Sequence, residues 1–342
     1  MRNQNSRSEY ESVRHAAGLI DRSSQGKILL SGGDRASFLH ALLTNDIVSL
    51  KPGTGCYAAY LTPQGRMIAD MRVVELGDRV LLDVVPSGAA SLTDRLNKLI
   101  FSEDVRVSDV TADFAEFGVH GPGAAEVLAD ALGVGAAESR ALPQYGNLRA
   151  TSGKAEVIVV RDDYFGEPGF DLSIARAGAA RLQKKIGAAG TVEIGASTAE
   201  LLRVETGRPL FGVDMDTETI PLEAGIEDRA ISFTKGCYVG QEVIIRVLHR
   251  GHGRVARRLV GLAIGDAEIP AAKDPILAGE QRIGEITSAV QSPVLGAIAL
   301  GYVQRAYMTP GTEVSIARET KRMAARVCSL PFQFRAGHAA SG

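Results

Sequence analysis

The chain has almost no net charge: 38 basic residues face 40 acidic ones, a formal balance of −2. No overall field draws it to nucleic acid or to an anionic membrane, although a local basic patch stays open. Cysteine is scarce. Cys56, Cys237 and Cys328 are far apart and show no CxxC spacing. Three such thiols exclude a disulfide framework and argue against a structural zinc site or a self-contained four-cysteine iron–sulfur cluster. A reducing cytoplasm is the expected location. No run approaches the roughly 18 apolar residues of a membrane span. The polar stretch from Met1 to Arg14 lacks the apolar core of a secretory signal and is expected to be a flexible arm.

What is present is ordinary for a globular protein: 45% hydrophobic and 23% charged residues in 342. That length predicts two or three domains. Ile28 to Ser31 reads as a strand ending at Gly32-Gly33, and Asp34 as the N-cap of a helix carrying Phe38, Leu39, Leu42 and Leu43. Strands are expected over Cys56–Thr62, Met67–Leu76 and Arg79–Val85, then a helix over Ala89–Leu99. Further strands (Phe117–Val119, Val157–Val160, Phe170–Ile174) and helices (Ala124–Leu132, Gly178–Ala188) mix without a regular βαβ alternation, which predicts an α+β fold. From Arg257 the texture changes to short strands at Leu259–Ile264, Ile283–Ala289, Ala297–Val303 and Thr312–Ile316, the pattern of a small barrel or sandwich. The expected organisation is an arm over 1–14, a body of two intertwined subdomains over 15–256, a β-barrel over 257–334 and a tail over 335–342. Cys56 and Cys328 fall in strand segments and are expected in the core.

Residues 203–258 carry the unusual choices. Glu205 follows Leu201-Leu202 and precedes a glycine. A carboxylate held at a helix end accepts two parallel hydrogen bonds, and a pterin ring offers such a pair; a solvated Glu or an ion pair with Arg203 or Arg208 is the plainer alternative. Cys237 stands between Gly236 and Tyr238, two residues after Lys235. A neighbouring cation and a helix starting near Val239 would favour its thiolate, while a small inert core side chain is the alternative. His249 and His252 have a metal-ligand spacing, but Gly251 and Gly253 interrupt any helix and no third ligand is evident, so no metal is expected. Arg246, Arg250, Arg254, Arg257 and Arg258 suit an anionic ligand such as folate glutamates, phosphate or RNA, or else a solvated basic face.

The octapeptide Lys235–Glu242, KGCYVGQE, resembles the signature of YgfZ-type proteins in the glycine-cleavage T-protein superfamily. Gly18–Asp21 with Gly26-Lys27, Phe38–Asp46, Tyr164–Asp171, Arg203–Gly207, and Thr287–Pro293 with Ala299–Val303 resemble other blocks of that superfamily, so the likeness covers roughly residues 16–330. It implies a ring-like α+β body with a C-terminal barrel and a bound tetrahydrofolate. Glu205 takes the place of the pterin-binding glutamate, with Asp70, Tyr164 and Arg254 as further cofactor contacts. Asp70 and Cys237 are the expected chemical groups.

Two departures bear on the activity. Gly65–Asp70 replaces a Gly-Gly-x-x-Asp-Asp run, with Ala69 where one acid stands. Val85-Pro86-Ser87 replaces Val-Asn-Ala. The resemblance therefore implies first a folate-binding accessory factor for assembly or repair of iron–sulfur proteins, with Cys237 as its functional thiol and iron–sulfur client or assembly proteins as partners. The alternative is a folate-dependent aminomethyltransferase or another one-carbon enzyme, using a carboxylate near the folate amine. Some relatives are tied to tRNA modification, but with no basic excess and no RNA module, direct nucleic-acid contact is not expected.

Overall fold

The computed structural model describes residues 2–249, 254–265 and 268–333. In chain order the elements are α1 (Arg2–His15), β1 (Gly18–Asp21), β2 (Gly26–Ser31), α2 (Arg35–Leu42), β3 (Gly55–Leu61), β4 (Met67–Glu75), β5 (Val80–Val84), α3 (Ala89–Asn97), β6 (Arg106–Asp109) and β7 (Phe114–His120). They continue with α4 (Ala124–Leu132), α5 (Ala136–Ala141), β8 (Asn147–Ser152), β9 (Ala155–Arg161), β10 (Gly169–Ala175), α6 (Ala179–Ala188), β11 (Val192–Glu193) and α7 (Ala196–Glu205). Three helices follow, α8 (Pro221–Ala224), α9 (Glu227–Ala230) and α10 (Gln241–His249). The last strands are β12 (Arg257–Gly265), β13 (Pro275–Ala278), β14 (Gln281–Ser292), β15 (Gly296–Gln304), β16 (Glu313–Arg318) and β17 (Lys321–Cys328).

Two compact units result, and neither is one stretch of chain. The first takes residues 1–198 and 226–245, the second 199–225 and 246–342. The first unit holds two sheets, ordered β3-β4-β5-β2-β6 and β11-β1-β7-β10-β9-β8, almost wholly antiparallel. Helices α2 and α3 cover one sheet through Phe38, Leu39, Leu92 and Leu96. Helices α4 and α6 cover the other through Val127, Leu128, Leu182 and Ile186. The remaining faces meet through Val74, Leu76 and Leu81 from one sheet and Ile158 and Val160 from the other. In the second unit β12-β15-β14-β13-β16-β17 close into a barrel around Leu262, Ile276, Ile286, Val303 and Ile316. This is the expected α+β class with its barrel. Cys56 and Cys328 lie on β3 and β17, partly buried.

Between the two sheets runs a buried ionic layer that sequence patterning does not reveal. Lys27 reaches Asp83 at 3.0 Å and Glu116 at 2.6 Å. Arg72 contacts Asp83 and Asp171, with Asp162 at 3.0 Å and Glu116 at 3.2 Å. Burial alone would push the Asp171 carboxyl up, but Arg22 and Arg72 outweigh it and hold the group well below its usual range. Such a layer contributes modest net stability but penalises any sliding of one sheet over the other, because a slip strands a buried charge.

Two local expectations need correction. The segment expected as a flexible arm is helical from Arg2 to His15, with Tyr10 and Val13 buried. Glu9 accepts from Gly195 N at 2.9 Å and Thr198 Oγ1 at 2.6 Å, while Arg14 donates to Phe165 O at 3.0 Å. Long-range polar contacts, rather than an apolar stripe, hold this helix in place. Asp34 does stand before α2, but it makes no side-chain cap; its carboxylate accepts from Asp104 N at 2.9 Å.

Candidate active site around Asp70

Residue alternation along β4 sorts the site. Ala69, Met71 and Val73 point into the core under α2 and α3. Asp70 and Arg72 point to the opposite face, between the sheets. An acid at position 69 would therefore face the apolar core rather than stand beside Asp70. The expectation that Ala69 weakens the chemistry of this face loses its force.

On β3, Ala59 lies opposite Asp70 and Tyr57 opposite Arg72, so Tyr57 shares the face diagonally. Its hydroxyl donates to Asp70 Oδ2 at 2.6 Å. Asp70 Oδ1 is buried with no hydrogen-bond partner among the described residues. The Arg229 guanidinium, from α9, lies 5.3 Å from the centroid of the Tyr57 ring, and Tyr145 stacks on that ring at 6.5 Å. Burial raises the Asp70 carboxyl above its usual range, against the Tyr57 hydrogen bond and the charge of Arg229. Burial and then the Asp70 charge push the Tyr57 phenol well above its usual range. The result is a carboxylate with one oxygen engaged and one open, suited to accept a hydrogen bond or proton from an amine. Tyr57 and Arg229 were not singled out from sequence. A regular hairpin counted from Leu61 opposite Met67 would pair Tyr57 with Met71 on the core face; the bulge between Tyr60 and Leu61 moves it to the Asp70 face, and nothing local marks Arg229.

The loop after α2 frames this cluster. Thr44 Oγ1 accepts from Ala59 N at 2.9 Å and donates to Ala230 O at 2.6 Å. The Asn45 amide donates to Tyr57 O at 2.8 Å and to Arg229 O at 3.1 Å. The Lys235 ammonium donates to the carbonyls of His40, Leu43 (2.6 Å) and Asn45 (3.2 Å), at the C-terminal end of α2 where a cation is favoured. Burial lowers the Lys235 ammonium to about 8.

Cys237 is exposed on the segment between Lys235 and α10. That helix begins at Gln241, beyond Gly240 at φ 84°, rather than near Val239. A side chain at Gly240 would meet Thr62 O at 2.5 Å and Gly65 Cα at 3.2 Å. The octapeptide's lysine and second glycine are thus architectural, fixing the segment to the α2 loop and to the β3–β4 turn. Tyr164 is half-buried, with Arg22 5.2 Å from its ring centroid and Phe165 edge-on at 5.2 Å.

The other two expected contacts belong to the second unit. Glu205 ends α7, is fully buried, and accepts from Ser292 Oγ at 2.6 Å. Its neighbour Arg203 ties the helix to the barrel through Asp214 and Ser288, at 2.6 and 2.7 Å, and grips Glu200. Arg254 is exposed. Arg257 pairs with Glu223 at 3.1 Å and lies 4.7 Å from the Tyr302 ring centroid, so part of the arginine run serves the barrel itself. The His249–His252 pair and Arg250 lie outside the described side chains. Among the described residues no group of three metal-ligating side chains occurs, and no helix is long and apolar enough to cross a membrane.

This geometry can be set beside known proteins. Residues 2–235 match the GCVT N-terminal domain, and residues 257–333 match the glycine cleavage T-protein C-terminal barrel domain. An aminomethyltransferase of Listeria monocytogenes is 31% identical over 335 residues, covering 96% of this chain and 90% of that protein. One from Streptomyces coelicolor is 32% identical over 337 residues, with the same coverage. The crystal structure of the glycine cleavage system aminomethyltransferase T from Bartonella henselae superposes with a TM-score of 0.86 at 27% identity, covering 95% of this chain and 89% of that one. With both family domains matched in order and the similarity running nearly end to end, the chain belongs to the glycine cleavage T-protein family.

Proposed function

We propose that the chain is a tetrahydrofolate-dependent one-carbon transferase of the aminomethyl class, with Asp70 as its proton-handling carboxylate. The observation that carries this reading is the open, buried Asp70 Oδ1 beside a Tyr57-bonded Oδ2. A carboxylate so arranged fits an amine of a folate, and the cofactor would supply the acceptor for the one-carbon unit. Tyr57 orients the carboxylate through its hydrogen bond, and the charge of Arg229 lowers its proton affinity. Of the remaining candidates for folate contact, Tyr164 shares the first unit with Asp70, whereas Glu205, already bonded to Ser292, and Arg254 belong to the second unit. The protein would act in the cytoplasm with a carrier that delivers the aminomethyl group. Calorimetric titration with tetrahydrofolate, followed by an aminomethyl-transfer assay on the same sample, tests this. Asp70→Asn is expected to bind folate and lose transfer. Full transfer by Asp70→Asn, or no transfer by the wild type, overturns the reading.

A second reading, the YgfZ-type accessory factor for iron–sulfur proteins, draws support from the exposed Cys237 on its pinned segment. Cys237→Ser would then keep folate binding but fail to restore iron–sulfur enzyme activity in cells lacking the protein. Full restoration removes it.

A further inference from the structure

We propose that Asn45 is a positioning residue: its side-chain amide holds Tyr57 and Arg229 in the arrangement that Asp70 requires. The inference rests on the reading of Asp70 as the reacting carboxylate.

The two N–H groups of Asn45 are divided between two carbonyls, Tyr57 O on β3 at 2.8 Å and Arg229 O on α9 at 3.1 Å. Its oxygen accepts from Asp46 N at 2.8 Å, which fixes the plane of the amide. The two residues whose carbonyls it binds are those that surround the Asp70 carboxylate, Tyr57 by its hydroxyl and Arg229 by its charge. Strand β3 and the short helix α9 share no backbone ladder, and of the two side chains that bridge them among the described residues, Thr44 and Asn45, Asn45 is the one bound to the carbonyls of both Tyr57 and Arg229. An aspartate would offer no donors to the two carbonyls, and a glutamine would set its amide one methylene further out. Lys235 holds the Asn45 carbonyl from the other side, so the octapeptide and the Asp70 cluster meet at this one residue. Neighbouring Thr44 makes a parallel link to Ala59 and Ala230, which keeps the loop in place when the Asn45 amide is removed.

Asp70 is faced by Tyr57 from β3 and by Arg229 from α9, with Tyr145 behind the Tyr57 ring. Arg229 lowers the proton affinity of Asp70. Displacing the guanidinium therefore raises the Asp70 titration midpoint. The test is a carbon-13 NMR titration of the aspartate carboxyls in wild type, Asn45→Ala, Arg229→Ala and the double variant, with Asp70→Asn used to assign the resonance. The expected result is an upward shift of the Asp70 midpoint in both single variants, with no further shift when Asn45→Ala is added to Arg229→Ala. In the transfer assay, Asn45→Ala loses about 10-fold in kcat with KM within about twofold, because geometry rather than binding is lost. An unmoved midpoint in a folded Asn45→Ala, or equal shifts with and without Arg229, overturns the proposal. If the transferase reading itself fails, the wild type shows no transfer, yet the titration still decides the role of Asn45. Should Asn45→Ala not fold, Asn45→Ser, which keeps one donor, gives the same comparison.

Discussion

Replacing Gly240 by alanine separates architecture from chemistry within KGCYVGQE. Gly240 sits at φ 84°, where an L side chain costs about 1–2 kcal/mol. The new Cβ would also stand 2.5 Å from Thr62 O, 3.1 Å from Leu61 Cβ and 3.2 Å from Gly65 Cα. The first contact is with backbone and cannot swing aside. Overpacking of this kind costs about 1–3 kcal/mol, for a total of about 2–5 kcal/mol. The neighbouring backbone is itself constrained, because Gly65 has φ 75° and packs on Val243. The assay is denaturant unfolding followed by circular dichroism, since the chain has no tryptophan. Two transitions are expected from two units, and only that of the first unit should move. Gly240→Asn relaxes the backbone term and keeps the contact, so it should fall between wild type and alanine. Cys237→Ser, at an exposed position, should leave both transitions where they are. A loss below about 1 kcal/mol for Gly240→Ala, with no shift of the β3–β4 turn, would refute the close approach.

Three further outcomes follow from named contacts. Tyr57→Phe removes a hydrogen bond to a buried carboxyl and should cost about 1.5–3 kcal/mol at neutral pH. Because the native Asp70 carboxyl titrates above its unfolded value, the native state binds more protons there, and stability falls as pH rises through that window. The variant should extend that fall to higher pH, as read from unfolding midpoints across a pH series. Lys235, lowered from 10.5 to about 8, has the opposite sign: the unfolded state binds more protons, so stability rises between those values. Discounted for its partial exposure, the gain is about 1 kcal/mol, and Lys235→Met should abolish that slope. Arg203→Met leaves the buried Asp214 carboxylate without its cation and should destabilise the second unit by about 3–5 kcal/mol in the same unfolding assay. A loss within 1 kcal/mol would mean that Thr287 and Ser288 satisfy Asp214 unaided.

The elements with strong patterning were legible. Ala124–Leu132 agrees with α4 end to end, and the four expected strands beyond residue 256 all belong to the barrel. Short or alternating strands were not: β6 is four residues with one buried side chain, and β17 alternates buried Met323, Ala325 and Val327 with exposed Arg322, Ala324 and Arg326. Helix α1 escaped notice because, among its described side chains, the buried apolar ones are Tyr10 and Val13 alone, beside the polar Glu9 and Ser12. Within the site, the superfamily likeness brought out Asp70 and Cys237. The hydrogen bond from Tyr57 became visible only with the β3–β4 register. The ionic layer was illegible because its members run from Arg22 to Asp171, and a charged residue in a strand reads as solvent-facing until a second sheet covers it. The octapeptide was legible as unusual, but not as a clamp; three carbonyls gathered around one ammonium leave no trace in composition.

The interleaving of the two units also dictates an order of events on the ribosome. The first unit requires residues 226–245, which are synthesised only after the opening piece of the second, 199–225. At about 5–20 residues per second, the two sheets can form while their last segment is still unmade. The α2 loop and the β3–β4 turn then wait for Lys235 and Gly240 to arrive, and the Asp70 cluster cannot be completed until Arg229 does. A nascent chain arrested before residue 226 should therefore hold both sheets and lack the completed Asp70 cluster. Cutting the gene near residue 198 would isolate neither unit.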